Sequence, residues 1–148
     1  MGVAQAAALV PLDPERAHEL WVDVRRWPTF VEGFSHVVEE RGDWPAEGAV
    51  VVWQSGPGGR GRVTEKVVES SGSALATRVF EEALQGTQRA TFTSEEEGTR
   101  VDLRLEYELN QRGPLRAVAD LLFIRRALRD ALRRTLRRYA TEAGEEAV

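Results

Sequence analysis

The chain contains no cysteine, two histidines, one methionine and a single lysine, Lys66. Without cysteine there is no disulfide framework, no thiolate metal site and no cysteine nucleophile. His18 and His36 alone leave little from which to build a histidine-based nucleophile system or a zinc centre. His18 falls off the apolar stripe of its segment, so solvent is its expected neighbour, and His36 begins a strand pattern. The first residues, MGVAQAAALVPLDPE, lack a basic stretch followed by a long apolar one, so no signal peptide is expected. The longest apolar run, Leu121 to Ile124, is far short of the roughly 20 residues a bilayer requires. Absence of cysteine suits a reducing cytoplasm. The glycine-rich run Gly56 to Arg62 lacks the Gly-Lys-Ser/Thr of a phosphate loop and lies between strand patterns, so it reads as a hairpin turn. No cofactor and no metal is called for.

At 148 residues the chain is long enough for one domain, expected over 1–143 with a frayed tail at 144–148. Apolar residues make up 42% and charged residues 30%, the balance of an ordinary soluble protein. The net charge of −4 hides an asymmetry. Residues 113–141 hold eight arginines and two aspartates, a net of +6, which leaves −10 on the remainder. The arginines are nevertheless spread along the chain, and Arg126, Arg129, Arg133, Arg134 and Arg137 occupy the outer side of a helix pattern. That is a solvated face balanced by an acidic body, and no nucleic-acid partner is inferred.

Residues 3–10 are small and apolar and end at Pro11, a first strand. Asp13 then stands as an N-cap with Pro14 at the first helical position, and Ala17, Leu20, Trp21 and Val24 form one apolar stripe. This helix is expected to stop near Trp27, before Pro28, and Pro28 can itself open a second short helix, Thr29 to Glu32, ended by Gly33. Strand patterns follow at 35–42, 48–55, 60–70, 74–82, 86–94 and 99–109, joined by short turns, as in an antiparallel meander. In the last of them Val101, Leu103, Leu105, Tyr107 and Leu109 alternate with polar residues. Gly113-Pro114 opens a final helix of about 29 residues, roughly 43 Å long. Its stripe, Val118, Leu121, Ile124, Leu128, Leu132, Thr135 and Tyr139, needs a broad apolar surface to lie on. The arrangement that answers all these faces is α+β. A curved antiparallel sheet of about seven strands grips a long C-terminal helix, with two short helices after the first strand.

That order resembles the START-like superfamily, notably its bacterial polyketide cyclase/dehydratase and lipid-transport group. The resemblance rests on the strand-Pro-x-x-Pro-Glu helix start, the Trp27 to Val31 corner, and Gly98-Thr99-Arg100-Val101 leading into the last strand. It implies a helix-grip fold with a deep apolar cavity between the final helix and the sheet. It implies no single activity, because such folds serve carriers, cyclases, lyases and regulatory partners.

Under that reading Phe30, Phe34, Trp53, Phe92 and Tyr107 are placed at the cavity, since pocket walls use the residue types of ordinary core. Glu65, Gln88 and Arg125 are polar interruptions of faces that otherwise read as inward. A buried charge must be paired or must address a ligand. Glu65 and Arg125 are therefore the candidate catalytic or polar-site residues, with Leu121 and Leu128 lining the cavity from the helix. Leu122 and Phe123 fall off the main stripe and make the helix apolar all round at one level, a place for a pocket lip, a dimer contact or transient membrane contact. The leading expectation is a carrier or sensor of a small hydrophobic or aromatic molecule. The alternatives are a polyketide cyclase or dehydratase, and a protein-interaction module working through the basic helix. Monomer and homodimer are both compatible with the sequence.

Overall fold

The computed structural model describes residues 1–110 and 118–148. A seven-stranded antiparallel sheet runs in the order β1-β7-β6-β5-β4-β3-β2. Its strands are β1 (Gly2–Val10), β2 (Phe34–Arg41), β3 (Val50–Ser55), β4 (Arg62–Ser70), β5 (Ala74–Phe80), β6 (Leu84–Glu95) and β7 (Gly98–Leu109). Helices α1 (Pro14–Val22) and α2 (Trp27–Phe30) connect β1 to β2, and α3 (Val118–Glu146) ends the chain. This is the α+β helix-grip architecture that the element order predicts. The Gly113-Pro114 helix start lies outside the described residues.

The first chain reversal departs from expectation. α1 ends at Val22, well before Pro28, because Asp23 leaves the helical conformation and its side chain accepts a hydrogen bond from the Arg25 backbone N–H. A 3₁₀ turn over Val24–Arg26 follows, and Pro28 then serves as a starting residue of α2 (Trp27–Phe30). Proline is tolerated there because the first N–H groups of a helix have no internal acceptor. The exposed carbonyls at the end of α1 are met by indoles. Trp27 Nε1 donates to the Trp21 carbonyl at 2.8 Å and Trp44 Nε1 to that of Val22 at 2.9 Å. At the other end Asp13 caps α1 as expected, accepting from the Arg16 N–H.

β1 joins β7 in an unbroken register from Gly2↔Tyr107 to Val10↔Thr99. Gly98 and Thr99 fix the corner. A Cβ on Gly98 would stand 2.1 Å from the Val10 carbonyl oxygen, and the Thr99 hydroxyl donates to the Leu12 carbonyl at 2.7 Å. The short-sequence motif leading into β7 thus has a packing reason. β5 gave no alternation to read because both of its faces are covered. Leu75, Thr77 and Val79 are buried on one side, while Ala76 sits in register between Glu69 and Arg89, whose ion pair spans it.

α3 packs along β1 and against the α1–α2 corner. The inward positions of β1 are Ala4, Ala6, Ala8 and Val10, small enough for a helix to lie close. Leu132, Leu136, Tyr139 and Ala143 are buried, and the Tyr139 hydroxyl donates to the Ala17 carbonyl. Trp21 and Phe30 pack on the Tyr139 ring, and burial pushes its phenol pKa up. Arg26 bridges Glu142 and Glu146 near the end of α3. Its first turns behave differently. Ile124 and Leu128 are half-buried, and Leu121 is 45% exposed although it shares the inward stripe. No helix among the described residues is long and apolar enough to cross a membrane.

Leu132→Ala and Leu136→Ala should each destabilise the protein by about 2–5 kcal/mol in urea unfolding, whereas Leu121→Ala should change it by less than about 0.5 kcal/mol. Equal losses at Leu121 and Leu136 would contradict an anchored second half and a free first half.

Candidate functional site

A largely enclosed cavity of about 70 Å³ lies between the sheet's concave face and the middle of α3. Leu75, Val79, Leu103 and Leu132 supply apolar wall, and Trp21, Trp27 and Trp53 supply aromatic wall. Ala131 and Thr135 face it from α3, and Glu32 from the end of α2. A separate, more open chamber of about 320 Å³ lies between the β5–β6 turn and α3. Leu84, Leu109, Phe123, Ile124 and Leu128 line it. Arg60 borders both chambers.

The polar content of the inner cavity is concentrated at Glu65. β4 keeps strict alternation through Val63, Glu65 and Val67, because its bulge falls after Val67. Glu65 therefore points inward and is buried. One carboxyl oxygen accepts from Trp53 Nε1 at 2.8 Å and the other from the Thr77 hydroxyl at 3.1 Å. Burial drives the carboxyl pKa up; the Trp53 hydrogen bond, the positive charge of Arg60 and the Thr77 hydrogen bond oppose this, and burial wins.

Arg60 completes a chain of contacts. Its guanidinium lies 5.3 Å from the Trp53 ring centre, a cation–π arrangement, and its Nε donates to Glu81. A buried carboxyl and a guanidinium thus both contact one indole. Together they can donate to a carbonyl or hydroxyl, or exchange a proton with one.

Glu32 closes the cavity on the opposite side. Its backbone N–H donates to the Thr135 hydroxyl at 2.9 Å, and its carboxylate pairs with Arg134 and Arg138. Burial alone would raise that carboxyl, yet the Arg138 and Arg134 hydrogen bonds hold its pKa below the ordinary value.

Several residues singled out in the sequence stand elsewhere. Trp53, Glu65 and Gln88 line the inner cavity and Leu128 the outer chamber. Phe30 is fully buried between Trp21 and Tyr139, and Phe34 packs against Trp53 and Trp27. Phe92 meets His18 edge to face. Tyr107 lies across the start of β1, where a Cβ on Gly2 would strike its ring. These four rings are core beside the cavity, not its lining. Leu121 and Arg125 are exposed. The cation near Glu65 is Arg60, not Arg125. His18 is also corrected: it is half-buried, its Nε2 has no partner among the described residues, and burial lowers its pKa.

Sequence reasoning missed Arg60, Thr77 and Trp27. Arg60 sits in a glycine-rich turn that reads only as a connection, and Thr77 in a strand without alternation.

A family model described as polyketide cyclase / dehydrase and lipid transport matches residues 1–144. The chain belongs to that family. Its fold is similar to that of the di-domain ARO/CYC StfQ from the steffimycin biosynthetic pathway, with a TM-score of 0.79 and 17% identity. The match covers 98% of this chain and 51% of StfQ, so the chain spans about half of that protein's length. The Zhui aromatase/cyclase from Streptomyces sp. R1128 matches with a TM-score of 0.75 and 16% identity, over 99% of this chain and 96% of that one. A START superfamily protein from Mycobacterium smegmatis matches with a TM-score of 0.76 and 10% identity, covering 97% of each. At these identities the likeness shows the shared START-like fold. No curated protein matches the sequence.

Because burial raises the folded-state pKa of Glu65, the stability it contributes is fully present below the unfolded value of about 4.3 and is lost as pH rises through the folded value. Glu65→Gln cannot ionise, so its urea midpoint should gain on the parent's as pH is raised from about 4 to about 8. A difference that stays constant over that range would show a carboxyl in ordinary solvent contact.

Proposed function

We propose that this chain binds a small hydrophobic or aromatic molecule, lipid- or polyketide-like, in the chamber between α3 and the sheet. The observation that carries this reading is Glu65, a carboxyl kept inside apolar walls and hydrogen-bonded to Trp53 and Thr77. An unpaired buried acid costs stability, and a core built for stability alone would place an apolar residue there. The acid fits a role towards a ligand's polar group, with the apolar walls taking the rest. Ligands larger than the inner cavity would extend past Arg60 into the outer chamber. A cytoplasmic location belongs to the same reading.

A second reading has its own support. The Glu65 carboxyl, its pKa raised by burial, is suited to exchanging a proton with a bound group, and Arg60 to polarising a carbonyl. Those two groups beside an apolar mould would serve a cyclase or dehydratase acting on a poly-β-ketone. The interaction-module reading is weaker, because Arg134 and Arg138 are engaged by Glu32 within the chain.

Anilinonaphthalene sulfonate should bind the parent without loss of near-ultraviolet circular dichroism. Ala131→Phe, which fills the inner cavity from α3, should abolish that binding with the dichroism kept. Dye binding unaffected by Ala131→Phe would place the dye elsewhere and count against the cavity. For the enzyme reading, Glu65→Gln should slow conversion of a poly-β-ketone thioester by about 10²–10⁴-fold while weakening its binding far less. Loss of affinity without any turnover in the parent identifies a carrier.

A further inference from the structure

The first turns of α3 carry an apolar cluster that the cavity does not absorb. Leu121, Leu122 and Phe123 are 45%, 49% and 72% exposed. Consecutive helical residues point about 100° apart, so these three cover most of the helix circumference at one level. Single exposed apolar residues are ordinary, but a contiguous apolar patch marks a contact surface. The next two turns are basic. Residues 121–129 contain three arginines, Arg125, Arg126 and Arg129, and no acidic residue. Arg125 and Arg126 are exposed and have no carboxylate within ion-pair distance among the described residues. Their long stems let the guanidinium groups reach past the apolar side chains to a charged plane.

We propose that this end of α3 docks on an anionic lipid surface, with Leu122 and Phe123 entering the interface and Arg125 and Arg126 meeting the lipid phosphates. The charge layout favours this occupant. Residues 121–129 carry +3 while the chain as a whole carries −4, so the molecule would turn this stretch of α3 towards a negative surface. A second copy seated on the same patch would bring the arginines of both copies together. The location adds a reason for docking. Phe123 and Ile124 also line the outer chamber, so contact with lipid would occur beside that chamber.

Vesicle co-sedimentation tests this directly. Parent protein should pellet with mixed phosphatidylglycerol–phosphatidylcholine vesicles at about 0.05 M salt, and much less at about 0.5 M, where screening is nearly complete. Phosphatidylcholine alone should retain at least about tenfold less. Arg125→Glu and Arg126→Glu should each weaken binding by about fivefold or more at low salt. Leu122→Ser should weaken it about fivefold or more, with near-ultraviolet dichroism and dye binding in the inner cavity unchanged. Retained dye binding separates failure here from failure of the cavity reading. The proposal is overturned if the parent stays in the supernatant at low salt, or if the serine variant pellets as the parent does. It is also overturned by retention on polyglutamate but not on vesicles, which would assign the patch to an acidic protein. A parent dimer in sedimentation velocity that Phe123→Ser dissociates would assign it to a second copy and overturn it equally.

Discussion

One constraint organises this molecule: α3 is anchored to the sheet by its second half only. Leu132, Leu136, Tyr139 and Ala143 are buried against β1 and the α1–α2 corner, and Arg26 and Glu32 tie that half with ion pairs. The alanines of β1 make the close approach possible. Burial falls off towards the start of the helix: Ile124 and Leu128 are half-buried against the core and Leu121 to Phe123 are exposed, while the inner cavity lies beside Ala131, Leu132 and Thr135.

Within that cavity, Glu65 sets the chemistry. Three neighbours oppose its desolvation, namely the Trp53 indole, the Arg60 charge and the Thr77 hydroxyl, and they do so incompletely. Arg60 borders both chambers.

Most of the fold was legible because its signals are local. Alternation in β7, turn glycines and the Asp13-Pro14 helix start each report a short-range constraint, and the strands fall within a few residues of where these put them. Glu65 was legible for the same reason, as a charge between valines on one face of β4. Arg125 and Leu121 were not. Helical periodicity gives the direction of a side chain, not whether anything lies beneath it, and that depends on where α3 is anchored. The aromatics failed for a related reason. Phe30, Phe92 and Tyr107 are inward, yet packing partners on neighbouring elements fill the space before a ligand could. Arg60 gave no signal because it reaches the cavity from a turn.

The central claim is that Glu65 is a desolvated carboxyl inside a ligand chamber. Carbon-13 nuclear magnetic resonance of the Glu65 carboxyl, assigned by comparison with Glu65→Gln, measures this without reference to any activity. The account predicts a titration midpoint above the ordinary glutamate value of about 4.3, moving when anilinonaphthalene sulfonate is added. A midpoint at about 4.3 that ignores the dye would contradict it.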